Sequence, residues 1–270
     1  MIDFNKTRQY TLSIRLSTDG FCFAVHNPQA VNEYTFQPYR IDTTKSVVAN
    51  LKVAVKELNM LRHTYGAVNI LLVNTPYTLV PIEFYAEQYE RKFYQQNIAS
   101  STSNATIIHN VVADEQMVVV FAIENQLHKY ITTQFPKAVI HAGISPLINF
   151  GFERSSMTNK RYCLLHLHKH AIDFLCYDKT SPLFANTFHY SNTEDAVYYL
   201  LNCWSILSMS QTDDTLHIVG QQRATKALLK ELTLFIQNIH IIRPAEEFHS
   251  TELARVDEMP FDLQALIACE

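Results

Sequence analysis

Three histidines at alternate positions, His166, His168 and His170, form the densest set of chemically capable side chains in the sequence. On a strand, residues two apart share a face, so the three imidazoles could together ligate zinc or another borderline metal. Neighbours on one strand face stand about 7 Å apart, which suits a single ion poorly, and a polar strand face is the plainer expectation. The five cysteines, Cys22, Cys163, Cys176, Cys203 and Cys269, are odd in number and widely spaced. None forms a ligand-spaced pair, and the first four sit in apolar runs, where a thiol behaves as a small hydrophobe. A two-metal nuclease needs clustered carboxylates, whereas Asp19 lies in the first half and Asp173 and Asp178 in the second. GxSxG, HExxH and the glycine-rich Walker loop are absent.

A second candidate is a surface rather than a catalyst. After Pro81 the stretch IEFYAEQYERKFYQQ reads as an aromatic-rich helix. Tyr85, Tyr89, Arg91 and Tyr94 are residue types that anchor interfaces, combining area with a polar handle. The plainer alternative is that Tyr85, Tyr89 and Phe93, at i, i+4 and i+8, lay an aromatic stripe on the core.

The elements that must position these residues follow from periodicity. Tyr10, Leu12, Ile14 and Leu16 alternate, as do Phe21, Phe23 and Val25 after Thr18-Asp19-Gly20, predicting a hairpin whose Asp-Gly supplies the positive φ of the turn. A third strand over 34–41 carries Pro38 and belongs at an edge. Val47, Val48, Leu51, Val55, Leu58 and Leu61 recur at three and four, predicting a helix capped by Thr43 or Thr44. An apolar strand follows over 68–73. The second half repeats the order: a hairpin over 161–168 and 171–177, a strand over 183–190, a helix capped by Asn192 or Thr193, a strand over 216–219, a helix over 223–235 and a strand over 238–242. Between the two repeats lie a polar loop at 100–104, a strand over 117–122, a helix over 124–135, a strand over 138–141 and a helix opening at Ser145-Pro146. The apolar tail around Leu266 and Ile267 is expected to dock on a domain.

The chain of 270 residues is 47% hydrophobic and 18% charged, with net charge −4. That composition excludes a disordered chain, and no segment reaches the roughly 20 apolar residues of a membrane span. Without a basic excess a nucleic-acid partner is not expected. The first residues lack a basic region followed by an apolar run, so a reduced, cytoplasmic protein is expected. There are only five glycines, where ordinary usage would give roughly 19.

The tandem order of elements resembles the actin-like ATPase superfamily, built from two ribonuclease H-like halves around a cleft. Three stretches carry the likeness. MVVVFAIENQLHKYITTQFPKAVIHAGISPLI is similar to the strand-helix-strand-helix of the pilus-assembly protein PilM and its relatives FtsA and GspL. LHIVGQQRATKALLKELTLFIQNIHIIRP is similar to their strand, glycine turn, helix, strand and proline around the adenosine. The Tyr10 to Val25 hairpin stands where their first phosphate loop does. More closely, the chain resembles an uncharacterised Bacteroidetes family with this fold. The resemblance implies an α/β protein of two lobes, each a mixed sheet flanked by helices: residues 1–157 with an inserted α/β segment at about 75–122, and residues 158–270, the seam falling at the polar stretch 153–160.

It also implies where a nucleotide would sit, and there the residues depart from the pattern. A phosphate hairpin needs Asp-x-Gly and a small hydroxyl residue, the carboxylate ordering a metal-bound water and the glycine admitting phosphate to backbone N–H groups. With Gly20 at the glycine position, Thr18 takes the aspartate position, Asp19 falls between them and bulky Phe21 follows. The second hairpin turn holds His168, Lys169 and His170, with neither aspartate nor glycine, although these three could hold an anion. The adenosine turn is Gly220-Gln221, and His141 replaces an aspartate of the pilus relatives. The expectation is therefore a nucleotide-site-degenerate, actin-like scaffold that binds an unknown protein partner or itself, with no cofactor and no catalysis. The alternative is a divergent ATPase or phosphotransferase using Mg-ATP in the interlobe cleft.

Overall fold

Alternating apolar residues in the first third of the chain build a meander. In the computed structural model, which describes residues 2–99, 103–114, 116–220, 222–248, 255–256 and 258–268, strands β1 (Thr11–Ser17), β2 (Gly20–Asn27) and β3 (Ala30–Tyr39) pair antiparallel. Helix α1 (Val47–Glu57) follows, capped by Ser46, whose side chain accepts from the Ala49 N–H, rather than by Thr43 or Thr44. Strand β4 (Ala67–Leu72) then pairs parallel to β1, its run of apolar residues buried as a parallel strand requires.

The inserted segment forms a sheet of its own. Strands β5 (Tyr77–Pro81), β6 (Ala105–Val112) and β7 (Met117–Glu124) run in the order β5-β7-β6, all antiparallel. The long aromatic helix expected after Pro81 is broken: 3-10 turns at Ile82–Phe84 and Glu87–Tyr89 precede a short helix α2 (Glu90–Asn97). Tyr85 and Ala86 between them are extended. Tyr85 packs with Phe93 and Ile98 against Val80, Tyr94, Val118 and Val120 and hydrogen-bonds to Glu90, so tertiary packing overrides local helix propensity. The segments at 100–102 and residue 115 lie outside the described residues, as do Gln221 and Cys269.

Helix α3 (Asn125–Gln134) leads to β8 (Ala138–Ala142), which pairs parallel to β4 and completes the five-stranded order β3-β2-β1-β4-β8. Pro38 lies on the edge strand, where its missing N–H costs nothing. After helix α4 (Ser145–Ser156) the same construction recurs in β9 (Arg161–Leu167), β10 (Ala171–Asp178), β11 (Ser181–His189), α5 (Thr193–Ile206), β12 (Thr215–Gly220), α6 (Gln222–Leu232) and β13 (Asn238–Ile241). The second sheet has the order β11-β10-β9-β12-β13, with antiparallel and parallel pairs in the same places. Asn192 caps α5 by accepting from the Asp195 N–H. Two short helices follow, α7 (Pro244–Glu247) and α8 (Phe261–Ala268).

The chain divides into two compact units, Met1–Pro146 with Ser250–Glu270, and Leu147–His249. The sequence reading assigns all of 158–270 to the second lobe, but α8 belongs to the first unit. Its Leu263, Leu266 and Ile267 pack with Cys22, Ala24, Leu71 and Val73 on the face of the first sheet that Arg15 shares. In the second unit, one face (Cys163, Leu165, Leu167, Ile172, Phe174, Cys176) packs on α5 and α6. Alternation turns Leu164, His166, Asp173 and Leu175 to the other face.

Candidate functional site

The two hairpin tips are where the sequence reading places its nucleotide-site residues. In the first, Ser17 pairs with Gly20 across a two-residue turn, Thr18-Asp19. The positive φ expected of the Asp-Gly pair is supplied by its glycine, Gly20 at +151°, and not by Asp19. Thr18 and Asp19 are exposed, and the Asp19 carboxylate accepts from the Ser17 hydroxyl. Phe21 does not project at the turn: it is buried, stacked on Tyr39 and edge-on to Phe23.

Behind this tip stands a pair that the sequence reading missed. Arg15 on β1 donates through Nε to both oxygens of Asp262 on α8, at 2.8 and 2.9 Å, and both side chains are buried. Burial alone would lower the Arg15 pKa, but the Asp262 carboxylate outweighs it and raises the pKa, so the guanidinium stays charged. Opposite Arg15, burial pushes the Cys22 thiol up to about 11. A cavity of about 90 Å³ beside Leu16, Ser17, Thr18 and Val73 lies at the carboxyl ends of β1 and β4, where α/β sheets bind ligands, but pockets for drug-sized ligands run from roughly 300 Å³ upward. A larger cavity, about 400 Å³, lies by Arg8, Tyr65, Gly66 and Lys137, at the opposite ends of the strands.

The second hairpin tip gathers more chemistry. β9 ends at Leu167, and the His168 N–H bonds to the Ala171 carbonyl at 2.8 Å, making Lys169 and His170 the exposed centre of the turn. The three histidines therefore do not share one strand face. His166 and His168 turn to a carboxylate instead. Asp173, directly across from His166 in register, accepts on Oδ2 from His166 Nδ1 at 3.1 Å and from His168 Nε2 at 2.5 Å. Its other oxygen accepts from Thr187 Oγ1 at 2.7 Å. Burial would raise the Asp173 pKa, but the charge of His168 and the hydrogen bonds from both imidazoles hold the carboxyl well below the usual range. The tip is tied down by Tyr190, whose hydroxyl donates to the His168 carbonyl at 2.8 Å. Both Asp173 and the alternation that faces it toward His166 were readable in the sequence, although the pairing register was not.

Gly220 closes β12 opposite Leu167 with φ +154°. A Cβ there would lie 2.5 Å from Leu167 Cβ and 2.9 Å from the Leu167 carbonyl oxygen, so strand packing by itself requires glycine. Gln221 lies outside the described residues. His141 on β8 is within 3.4 Å of Asn69 Oδ1, and burial pushes its pKa down to about 4.

The residues read as a partner surface separate. Tyr94 is 1% exposed, a core residue of the inserted sheet. Tyr85 is half-buried, and Glu90 accepts from both its hydroxyl and His109 Nδ1. Tyr89 and Arg91 are exposed, and Phe84, 67% exposed, joins them on this segment.

A search of curated proteins finds no match to the sequence. Among solved structures, a Bacteroides thetaiotaomicron protein with an actin-like ATPase fold and unknown function is similar over 100% of both chains, at 33% identity and TM-score 0.87. A chain of the PilM-PilN type IV pilus biogenesis complex is similar over 97% of this chain and 99% of that one, at 14% identity and TM-score 0.62, a likeness of fold. The fold is thus that of the actin-like ATPases, each lobe a five-stranded mixed sheet flanked by helices. The family described as "Protein of unknown function (DUF3822)" matches residues 1–239, and the chain belongs to it.

Proposed function

We propose that this protein is an actin-like scaffold whose nucleotide site is degenerate, acting in the cytoplasm through a protein partner or a second copy of itself. The observation that carries the reading is the second hairpin, whose exposed turn is Lys169-His170 and whose carboxylate by that turn is Asp173. Both of its oxygens are engaged by His166, His168 and Thr187, so it offers little to the ordered water of a Mg-phosphate, and phosphoryl transfer depends on such positioning. Asp19 is held by Ser17, and Gly220 is accounted for by its approach to Leu167. The assembly role draws on the PilM-PilN complex, in which a protein of this fold is part of a pilus biogenesis assembly. The surface offered is the exposed segment with Phe84, Tyr89 and Arg91. No described helix is long and apolar enough to cross a membrane.

Phosphate release from Mg-ATP tests the reading. The expected result is a rate equal to buffer, unchanged by Asp19→Asn or Asp173→Asn. Release that either substitution removes would instead establish the divergent ATPase or phosphotransferase.

A further inference from the structure

We propose that the open edge of β11 pairs antiparallel with β11 of a second copy of this chain, about a two-fold axis at Asn186. This names an occupant for the scaffold and so rests on that reading, although the pairing itself involves no nucleotide.

A sheet edge presents unpaired N–H and C=O groups, and proteins guard such edges with charge, proline, shortness or cover. Three of the four edges of the five-stranded sheets are guarded. β3 carries Glu33 and Pro38. On the outer side of β8, the Asn110 amide donates to the Ile140 carbonyl and accepts from the Ala142 N–H, each at 2.8 Å. β13 has only four residues. β11 has nine, none of them Asp, Glu, Lys or Arg, and among the described residues it pairs only with β10. Its register shift falls between Pro182 and Phe184, so 184–189 run regularly.

One bond fixes which backbone groups point outward. The Tyr190 N–H donates to the His170 carbonyl at 3.1 Å, one step beyond the Ala171–His189 pair. Alternation then turns the backbone groups of Phe184, Asn186 and Phe188 to β10, and those of Ala185 and Thr187 to the open edge.

A second copy is selected because the strand is self-complementary about Asn186. With Asn186 on the axis, Ala185 meets the partner's Thr187, outward groups facing outward groups, and both ladder bonds form. Phe184 meets the partner's Phe188, and the reverse, in non-hydrogen-bonded pairs where side chains stand closest. Aromatic pairs across strands are stabilising. Phe184 and Phe188 are already held against the core of the second unit, Phe188 stacked on Tyr199 at 5.2 Å. Asn186 is exposed, and two amides meeting on the axis can each donate and accept. No like charges oppose one another along the strand, although the chain carries net charge −4. A two-fold contact closes on itself and stops at the dimer. One short ladder buries less than a standard interface, so the association is weak and reversible.

Sedimentation of the reduced, full-length protein without nucleotide, from low to several hundred micromolar, tests the pairing. The expected result is a monomer–dimer equilibrium. Asn186→Lys sets a charge against itself on the axis and should weaken it roughly 10-fold or more. Ala185→Pro removes an outward N–H, as an edge strand tolerates, and should weaken it likewise, whereas Phe84→Ser should leave it unchanged. Asn186→Cys reads the register: glutathione disulfide should link two copies, two thiols giving one S–S bond and two molecules of glutathione. Cα atoms of a non-hydrogen-bonded pair stand about 4.5 Å apart, within the disulfide range. Leu183→Cys, exposed but facing the partner's His189 rather than itself, should link no more than the wild type, whose five cysteines set the background. Circular dichroism checks that each variant is folded; should Ala185→Pro unfold, Asn186→Lys at its exposed position decides. A monomer at every concentration, which would leave the edge to a foreign strand, overturns the proposal. So does a dimer that survives Asn186→Lys or is lost with Phe84→Ser. Phosphate release from Mg-ATP by a chain that dimerises through β11 would overturn the degenerate site alone, and a monomer inert to Mg-ATP would overturn the pairing alone.

Discussion

A glycine can be retained for a ligand or for the chain itself, and Gly20 and Gly220 allow the two to be separated. At Gly20 a Cβ would meet only the Tyr39 carbonyl at 3.5 Å, an ordinary contact, and the demand comes from its φ of +151°. At Gly220 the left-handed φ coincides with a 2.5 Å approach to Leu167 Cβ, which is the side chain of a packed strand neighbour. Gly20→Ala should therefore cost about 1–2 kcal/mol, as strain at a single residue does. Gly220→Ala should cost more, roughly 3 kcal/mol or above, since strand separation adds to the same strain. Urea unfolding of the two variants measures the difference. Equal costs would mean that the β12 contact does not hold Gly220 in place. The glycine shortage in the composition thus reflects a backbone that keeps glycine where the fold itself requires it.

At the scale of elements, α8 is held on the first sheet by apolar contacts and by one buried ion pair. Removing one member of such a pair leaves an uncompensated charge, costing roughly 3–5 kcal/mol, whereas replacing both by apolar residues can be neutral or stabilising. Asp262→Asn should accordingly lower the urea midpoint strongly, and Arg15→Met combined with Asp262→Leu should recover most of the loss. A cost below about 1 kcal/mol for the single variant, the range of an exposed pair, would contradict this role. Periodicity made the strands of both sheets and α1, α3, α5 and α6 legible, because each shows one repeat over its length. The inserted segment was less so. The extended residues Tyr85 and Ala86 interrupt a sequence of good helix formers because Tyr85 packs on the insertion's core and bonds to Glu90. Neither β5 nor β6 is legible from periodicity, although Ile107, Ile108, Val111 and Val112 lie in β6. The candidate site shows the same limit: His166 and His168 stood out by spacing, but their carboxylate is set by strand register, and Asp262 reaches Arg15 across 247 positions.

For the whole molecule, the pH dependence of folding has a source in each unit. Burial pushes His141 in the first and His217 in the second down to about 4. Because the unfolded chain then takes up protons that the folded chain refuses, stability is complete above the ordinary histidine pKa near 6.5 and declines as pH falls toward 4. Each group contributes on the order of 2 kcal/mol after allowance for residual solvent. Unfolding midpoints from pH 8 to pH 4 should be flat at first and then decline from about 6.5. His141→Gln and His217→Gln should each shallow that decline, and an unchanged slope in both would contradict the assignment. Below this window Asp173 adds a second loss, since a carboxylate whose pKa is depressed in the fold stabilises it only while ionised.

Two lobes with matching strand order preserve the actin-like architecture, while the carboxylates by the two hairpin tips bond within the chain, Asp19 to Ser17 and Asp173 to His166, His168 and Thr187. The direct test is a thermal-shift titration of the full chain with Mg-ATP. A ligand present at 100 times its dissociation constant adds about 2.7 kcal/mol to stability, a change readily seen in the melting temperature. Millimolar Mg-ATP should leave that temperature unchanged. A saturable increase that Asp19→Asn or Asp173→Asn removes would contradict the degenerate nucleotide site.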